Sequence, residues 1–314
     1  MLTRRHIRVK VMQSVYSFSL SKSDRLESEV AFFKGSVAAT FDLYLLLLAL
    51  IKAVAAAAEE QLETYRKNKI EDQKRIAALE LLLQNSASRF IVQHPILAQL
   101  LKNKKIDQWD LEFKFLKDLI NLLFESEAFA QHTALEAPNA KDDVQLLVYF
   151  FRHIITPHPY LFNYLEDREL TWVDDLPIVN TFLLKTLKKI KVNDVSSLPF
   201  PQPVVSKEDM DFGVDLLEKV IGNEASLEYE LIGKTPNWDP DRIAQLDAII
   251  LKIAIGELLY FPSIPPKVTL NEYLEIAKDY STPKSNHFVN GVLDKLVKEF
   301  SSAQRLQKSG RGLQ

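Results

Sequence analysis

Apolar residues recur at helical spacing along almost the whole chain. Ile7, Val11, Val15 and Phe18 form one stripe near the start. The same spacing predicts one or two long helices over 25–67, with a break near Gly35. Further helices are expected near 72–84, 107–125, 142–156, 175–191, 207–222, 239–259, 269–280 and 285–301. No run alternates with the two-residue period of a half-buried strand. The fold class that follows is all-α.

One stretch resists this pattern. In "HFVNGVLDKL", residues 287–296, Asn290-Gly291 is a strong hairpin signal, because both residues accept positive φ. Yet Phe288, Val292 and Leu296 keep the helical repeat around it. A glycine inside a helix costs about 1 kcal/mol relative to alanine, so its presence calls for a reason.

Punctuation divides the chain. Pro199, Pro201 and Pro203 in "SLPFPQPVV" prevent helix and favour a stiff, extended segment. The organisation expected is a basic first helix over 1–21, a further helical region over 22–198, a proline-rich linker over 199–204, a helical domain over 205–303 and a flexible tail over 304–314. Trp109, Trp172 and Trp238 fall at near-equal intervals, each followed by Asp110, Asp174 or Asp239 and then an apolar stretch. At one offset Leu165 matches Leu231, Ile155 matches Ile221 and Asp175 matches Asp241. Either a helical unit is duplicated, or two amphipathic helices align by chance; the sequence leaves both open.

Composition narrows the class. With 314 residues and 47% hydrophobic content, the chain can bury a sizeable core. Only 8 glycines occur, which disfavours a turn-rich β fold. The absence of cysteine excludes disulfides and thiolate chemistry and suits a cytoplasmic protein. A net charge of −3 gives no global attraction to polyanions, so nucleic acid would need a local basic patch. The apolar stretch Leu43–Ala58 is short for a membrane span and carries Lys52, so a buried helix is expected and no membrane. Residues 1–23 hold Arg4, Arg5, Arg8, Lys10 and Lys22 without an acid, a composition shared by organellar transit peptides.

Catalytic patterns fail on inspection. "LIGKTP" has Gly233-Lys234-Thr235, but Glu228 stands where a phosphate loop needs its first glycine. His153 and His158 are too far apart for one helix face, with Pro157 between them. No acid–base pair can be singled out. The expectation is a protein that is not an enzyme and needs no cofactor or metal.

Two stretches carry binding chemistry. In "TRRHIRVKVMQSVYSF", Thr3 can cap a helix, and Arg5, Arg8, Met12 and Tyr16 share one edge, with Arg4 nearby. Guanidiniums at an exposed helix start can hold phosphates, and an aromatic can stack an unpaired base; a solvated basic helix end is the plainer alternative. In the second stretch, Thr269 and Glu272 read as a T-x-x-E capping box after Pro265-Pro266. Ser285 can cap the next helix, where Lys284 and the first N–H groups favour an anion, with Phe288 close by.

Together these stretches resemble the NusB family of bacterial transcription antitermination factors. The front match is Arg4-Arg5, Arg8, Gln13 and Tyr16. The rear match runs from Asp247 through "IPPKVTLNE" to "FVNGVLDK", and more weakly back to Asp211. It covers roughly a third of the chain. The resemblance implies a NusB-type helical bundle in the C-terminal third, with Asn290-Gly291 inside a helix. Gly291 is then expected to be a helix-crossing point and Asn290 a polar contact beside it. The resemblance also implies binding of the boxA element of nascent ribosomal RNA together with NusE, a small-subunit ribosomal protein, in an RNA polymerase antitermination complex. Carried over, Arg4, Arg5, Arg8 and Tyr16 contact RNA, with Lys284, Ser285 and Phe288 from the rear, and Asp247 lies near the partner surface. Lys284 departs from the family, whose members often carry an acid there, and should favour RNA through one more phosphate neutralised. The chain is also about twice the usual family length. A helical interaction scaffold without RNA binding is the alternative. The same module can precede an RNA methyltransferase domain, but no glycine-rich cofactor loop follows here.

Overall fold

The computed structural model describes residues 1–21, 25–232, 234 and 244–310. Among them every regular element is helical. The chain forms two compact units. One comprises Met1 and Ala38–Val204, the other Leu2–Val37 and Val205–Gln314. In chain order the first helices are α1 (Arg4–Ser21) and α2 (Leu26–Lys67). α2 gives its turns up to Val37 to the second unit and the remainder to the first.

No break occurs at Gly35. α2 runs unbroken for 42 residues, with Glu27 and Glu29 in its first turn and Arg66 and Lys67 in its last, each end matched to the helix dipole. One exposed glycine costs too little to interrupt so long a helix. The Leu43–Leu48 run is buried, as are Ile51, Val54 and Ala58. Length and composition alone would let α2 cross a bilayer, but two thirds of its most apolar window is buried within the protein.

Around the rear of α2, the first unit gathers α3 (Gln73–Gln84), α4 (Ser86–Val92), α5 (Pro95–Lys104), α6 (Phe113–Phe124), α7 (Glu127–Thr133), α8 (Ala140–Tyr149), α9 (Pro159–Arg168) and α10 (Thr171–Leu187). Two indole N–H groups reach backbone carbonyls of α2: Trp109 donates to Leu46 and Trp172 to Ala39, each at 2.8 Å. Thr40 donates to Asp175 at 2.6 Å. Trp238, Asp239 and Asp241, which completed the repeat pattern, lie outside the described residues, as do Gly233 and Thr235.

Five short helices, α4, α5, α7, α9 and the later α12, escape the periodicity because each has too few turns to show a stripe. Four of them carry a side-chain N-cap, and α12 does not. Pro95 and Pro159 open α5 and α9, behind His94 and His158, whose ring nitrogens accept the N–H of Leu97 and Tyr160. His158 therefore ends one turn and starts the next helix, while its Nε2 lies 3.1 Å from Asp118. The helix expected over 142–156 is α8 continued by a π turn, Phe150–Ile155. The proline-rich stretch is packed into this unit. Pro199 O accepts from Tyr44 at 2.8 Å, and the Phe200 ring meets those of Tyr44 and His94.

The second unit adds α11 (Lys207–Gly222), α12 (Glu224–Leu231), α13 (Gln245–Tyr260), α14 (Pro266–Tyr280) and α15 (Ser285–Ser302). α13 is buried nearly all round, from Ile249 to Leu258, and packs against α1, α11, α12, α14 and α15. Gly213 on α11 marks a tight crossing. A Cβ there would come within 2.3 Å of Phe33 and 2.7 Å of Ile7. The tail is held in its described part. Arg305 pairs with Glu230 at 2.7 Å, and Ser309 N–H donates to Pro262 at 3.0 Å. Residues 311–314 lie outside the described residues.

Three local expectations are corrected. Gly291 is helical but is not a crossing point, because a Cβ there would meet nothing within 4 Å. Asn290 instead bonds Asp294 one turn on, at 3.2 Å. Thr269 and Glu272 do not form a capping box. α14 begins at Pro266, whose fixed φ suits a first helical position. Nor does Ser285 cap α15. Lys284 holds that position without a side-chain bond, and the Ser285 hydroxyl turns inward.

Candidate nucleic-acid interface

The arginines of α1 flank the stripe of Ile7, Val11, Met12 and Val15 that anchors the helix in the core. Thr3 precedes the helix. Its carbonyl accepts the Ile7 N–H, and its own N–H and hydroxyl both engage His6 Nδ1. The three guanidiniums then meet different surroundings.

Arg8 is not at the surface. It is 3% exposed and its partner Glu257 is 0% exposed. Arg8 donates from Nε at 2.7 Å and Nη2 at 2.9 Å, a two-point pair. Thr269 and Tyr273 hydroxyls donate to the same carboxylate at 2.8 and 3.2 Å. Burial acts to lower the pKa of Arg8, but the bonds and charge of Glu257 outweigh it, so the net direction is upward. The Tyr273 hydroxyl is raised by burial and by the Glu257 charge. The expectation that Arg8 touches RNA phosphate is therefore corrected: the guanidinium joins α1 to α13 and α14 inside the core.

Arg5 and Arg4 lie at the surface but are held. Arg5 donates to both oxygens of Glu272, at 2.9 and 3.0 Å, with Glu275 at 3.9 Å. Arg4 reaches Asp209 at 2.7 Å and Glu208 at 2.6 Å, with its guanidinium 5.2 Å from the Phe212 ring centre. The bond from Arg5 holds Glu272 below the usual carboxylate range, and the bond from Arg4 does the same for Asp209. These arginines line a cleft of about 800 Å³ that follows one face of α14 from Val268 past Glu272 to Asp279. That face is about 16 Å long at 1.5 Å per residue.

Beyond Asp279 comes the turn that carries Lys284. Asp247, in the first turn of α13, is buried and accepts from Ser281 at 2.6 Å and Ser285 at 2.7 Å. The Ser285 hydroxyl also accepts the Thr282 N–H at 3.2 Å. Asp247 is thus an internal fastening for the turn, and the expectation of a partner-facing carboxylate is corrected. Phe288 is buried as well, at 7% exposed. Lys284 is exposed, with no ion-pair partner among the described residues. Tyr16 is 38% exposed, on α1 about 12 Å along the axis from Arg8. The structure thus gathers Arg4 and Arg5 on one cleft, sets Lys284 past its far end, and leaves Tyr16 two turns further along α1.

Sequence reasoning missed the carboxylates. Glu257 was the readable one, an acid within the apolar run "AIIL KIAIGELL", where an isolated charge requires a partner. Lys252 in the same run pairs with Glu224 at 2.5 Å. The crowded glycine was Gly213 and not Gly291, and only the crossing geometry separates the two.

The family described as "NusB family" matches residues 181–298. The transcription antitermination protein NusB of Chloroherpeton thalassium is 41% identical over 128 residues, 40% of this chain and 61% of that protein. Its Salinibacter ruber counterpart is 41% identical over 103 residues, 33% of this chain and 64% of that protein. The counterpart from Listeria monocytogenes is 34% identical over 116 residues, 37% of this chain and 91% of that protein. The chain thus spans somewhat under two thirds of the first two relatives and nearly all of the third. No solved structure matches. With the Listeria protein matched over nine tenths of its length, the chain belongs to the NusB family of transcription antitermination factors.

Proposed function

We propose that this protein binds boxA of nascent ribosomal RNA together with NusE and promotes read-through by RNA polymerase in the bacterial cytoplasm, without a catalytic step. The observation that carries the reading is the cleft along α14, with Arg4 and Arg5 on its wall and the ammonium of Lys284 past its end. Phosphates bind Arg5, Arg4 and Lys284, and an unstacked base lies on Tyr16. Arg8, Ser285, Phe288 and Asp247 act from within, by fixing α1 and the Lys284 turn.

The test is fluorescence anisotropy of a short boxA RNA and a scrambled control, with and without NusE, across a salt series. Expected are preference for boxA, strengthening by NusE, and a log–log salt slope of about −0.7 per phosphate contacted. Lys284→Ala should reduce affinity and flatten that slope by about one contact. Equal binding of both RNAs, or an unchanged slope in the variant, would contradict the reading.

A further inference from the structure

The α1 surface is basic in sequence but not in structure. Three guanidiniums, of Arg4, Arg5 and Arg8, face five carboxylates, of Glu208, Asp209, Glu257, Glu272 and Glu275. Asp279 also lines the cleft. The Arg8–Glu257 pair is buried and fixed. Arg8 also lies 3.8 Å from Glu272, while the pairs made by Arg4 and Arg5 sit at the surface, where carboxylate and solvent can exchange. A phosphate approaching Arg5 meets a guanidinium already bonded through Nε and Nη2 to Glu272, with Glu275 3.9 Å away.

Resting on the RNA-binding reading above, we propose that Glu272 and Asp209 set the affinity of this surface by occupying Arg5 and Arg4, so that RNA binds by exchanging carboxylate for phosphate on each arginine. The geometry supports exchange over simple addition, since a carboxylate and a phosphate use the same two-point edge of a guanidinium, which Glu272 fills on Arg5 and which Asp209 and Glu208 share on Arg4. The cleft has room for the entering group. The carboxylates stay attached to α11 and α14, poised to return when RNA leaves. The sequence-level count of arginines therefore overstates the attraction, and the acids on α11 and α14 regulate it.

The experiment measures binding of a labelled single-stranded RNA and, separately, of inorganic triphosphate, to the full chain and to Glu272→Gln and Asp209→Asn. Each substitution should tighten RNA binding roughly three- to tenfold and steepen the salt slope by about 0.7. Adding Arg5→Ala to Glu272→Gln should abolish that variant's gain. Triphosphate, which has no base, should show the same ordering. A gain with triphosphate while no variant binds RNA would uphold the exchange and sink the RNA reading. RNA binding that neither substitution tightens, with melting temperatures unchanged, would overturn the exchange, as would no gain with either probe. If Glu272→Gln loses its helical signal, Asp209→Asn carries the test.

Discussion

At the scale of single residues, two glycines make opposite predictions. Gly291 sits exposed on α15 with open space where a Cβ would go. Gly291→Ala should therefore stabilise the protein by about 0.5–1 kcal/mol, through helix propensity and a less flexible unfolded chain. Gly213→Ala should destabilise it by about 1–3 kcal/mol, because the new methyl must displace the Phe33 ring and Ile7, both in the core. Chemical denaturation of the two variants checks both signs. Arg8 is the third case. Arg8→Ala strands the Glu257 carboxylate in the core and should cost about 3–5 kcal/mol. Replacing both partners with apolar residues of similar volume should recover much of that loss. If the double variant is as unstable as the single one, the pair holds the fold through something other than mutual neutralisation.

At the scale of elements, α13 organises its unit through the polar groups it buries. Glu257 ties it to α1 and α14, Lys252 to α12, and Asp247 to the turn between α14 and α15. The helix itself was readable from "LDAIILKIAIGELLY", since an element apolar all round must be central. Its partners were not readable, because Arg8 lies 249 positions from Glu257 and periodicity is blind to such distances. The long helices were legible for the same reason that α4, α7 and α12 were not: a stripe needs several turns. The first-helix arginines were legible as a cluster, but their different burial depends on which side of α1 meets α13. A test of Asp247 follows. Asp247→Ala removes the acceptor of two hydroxyls and should loosen the Ser281–Ser285 turn, with faster amide exchange at Thr282, whose N–H leans on the Ser285 hydroxyl. Unchanged protection there would mean that packing of Phe288 alone holds the start of α15.

At the scale of the whole molecule, the balance of charge links stability to function. The chain carries net charge −3, so no overall field draws anions to it. At its surface the arginines Arg4 and Arg5 of α1 are paired with carboxylates. Glu272 and Asp209 both have folded pKa values below their ordinary ones, caused by bonds from Arg5 and Arg4. A depressed carboxylate contributes stability that is fully present above its unfolded pKa, about 4.3 for Glu and 3.9 for Asp, and is lost as pH falls through the folded value. Stability should therefore be flat in this respect above about pH 5 and decline below about pH 4. In Glu272→Gln combined with Asp209→Asn the decline should be shallower, since those two proton uptakes are gone. Urea unfolding followed by circular dichroism from pH 3 to 7 measures both profiles. Parallel acid limbs in the parent and the double variant would mean that neither surface pair contributes to the fold, and that both acids are there for the anion site alone.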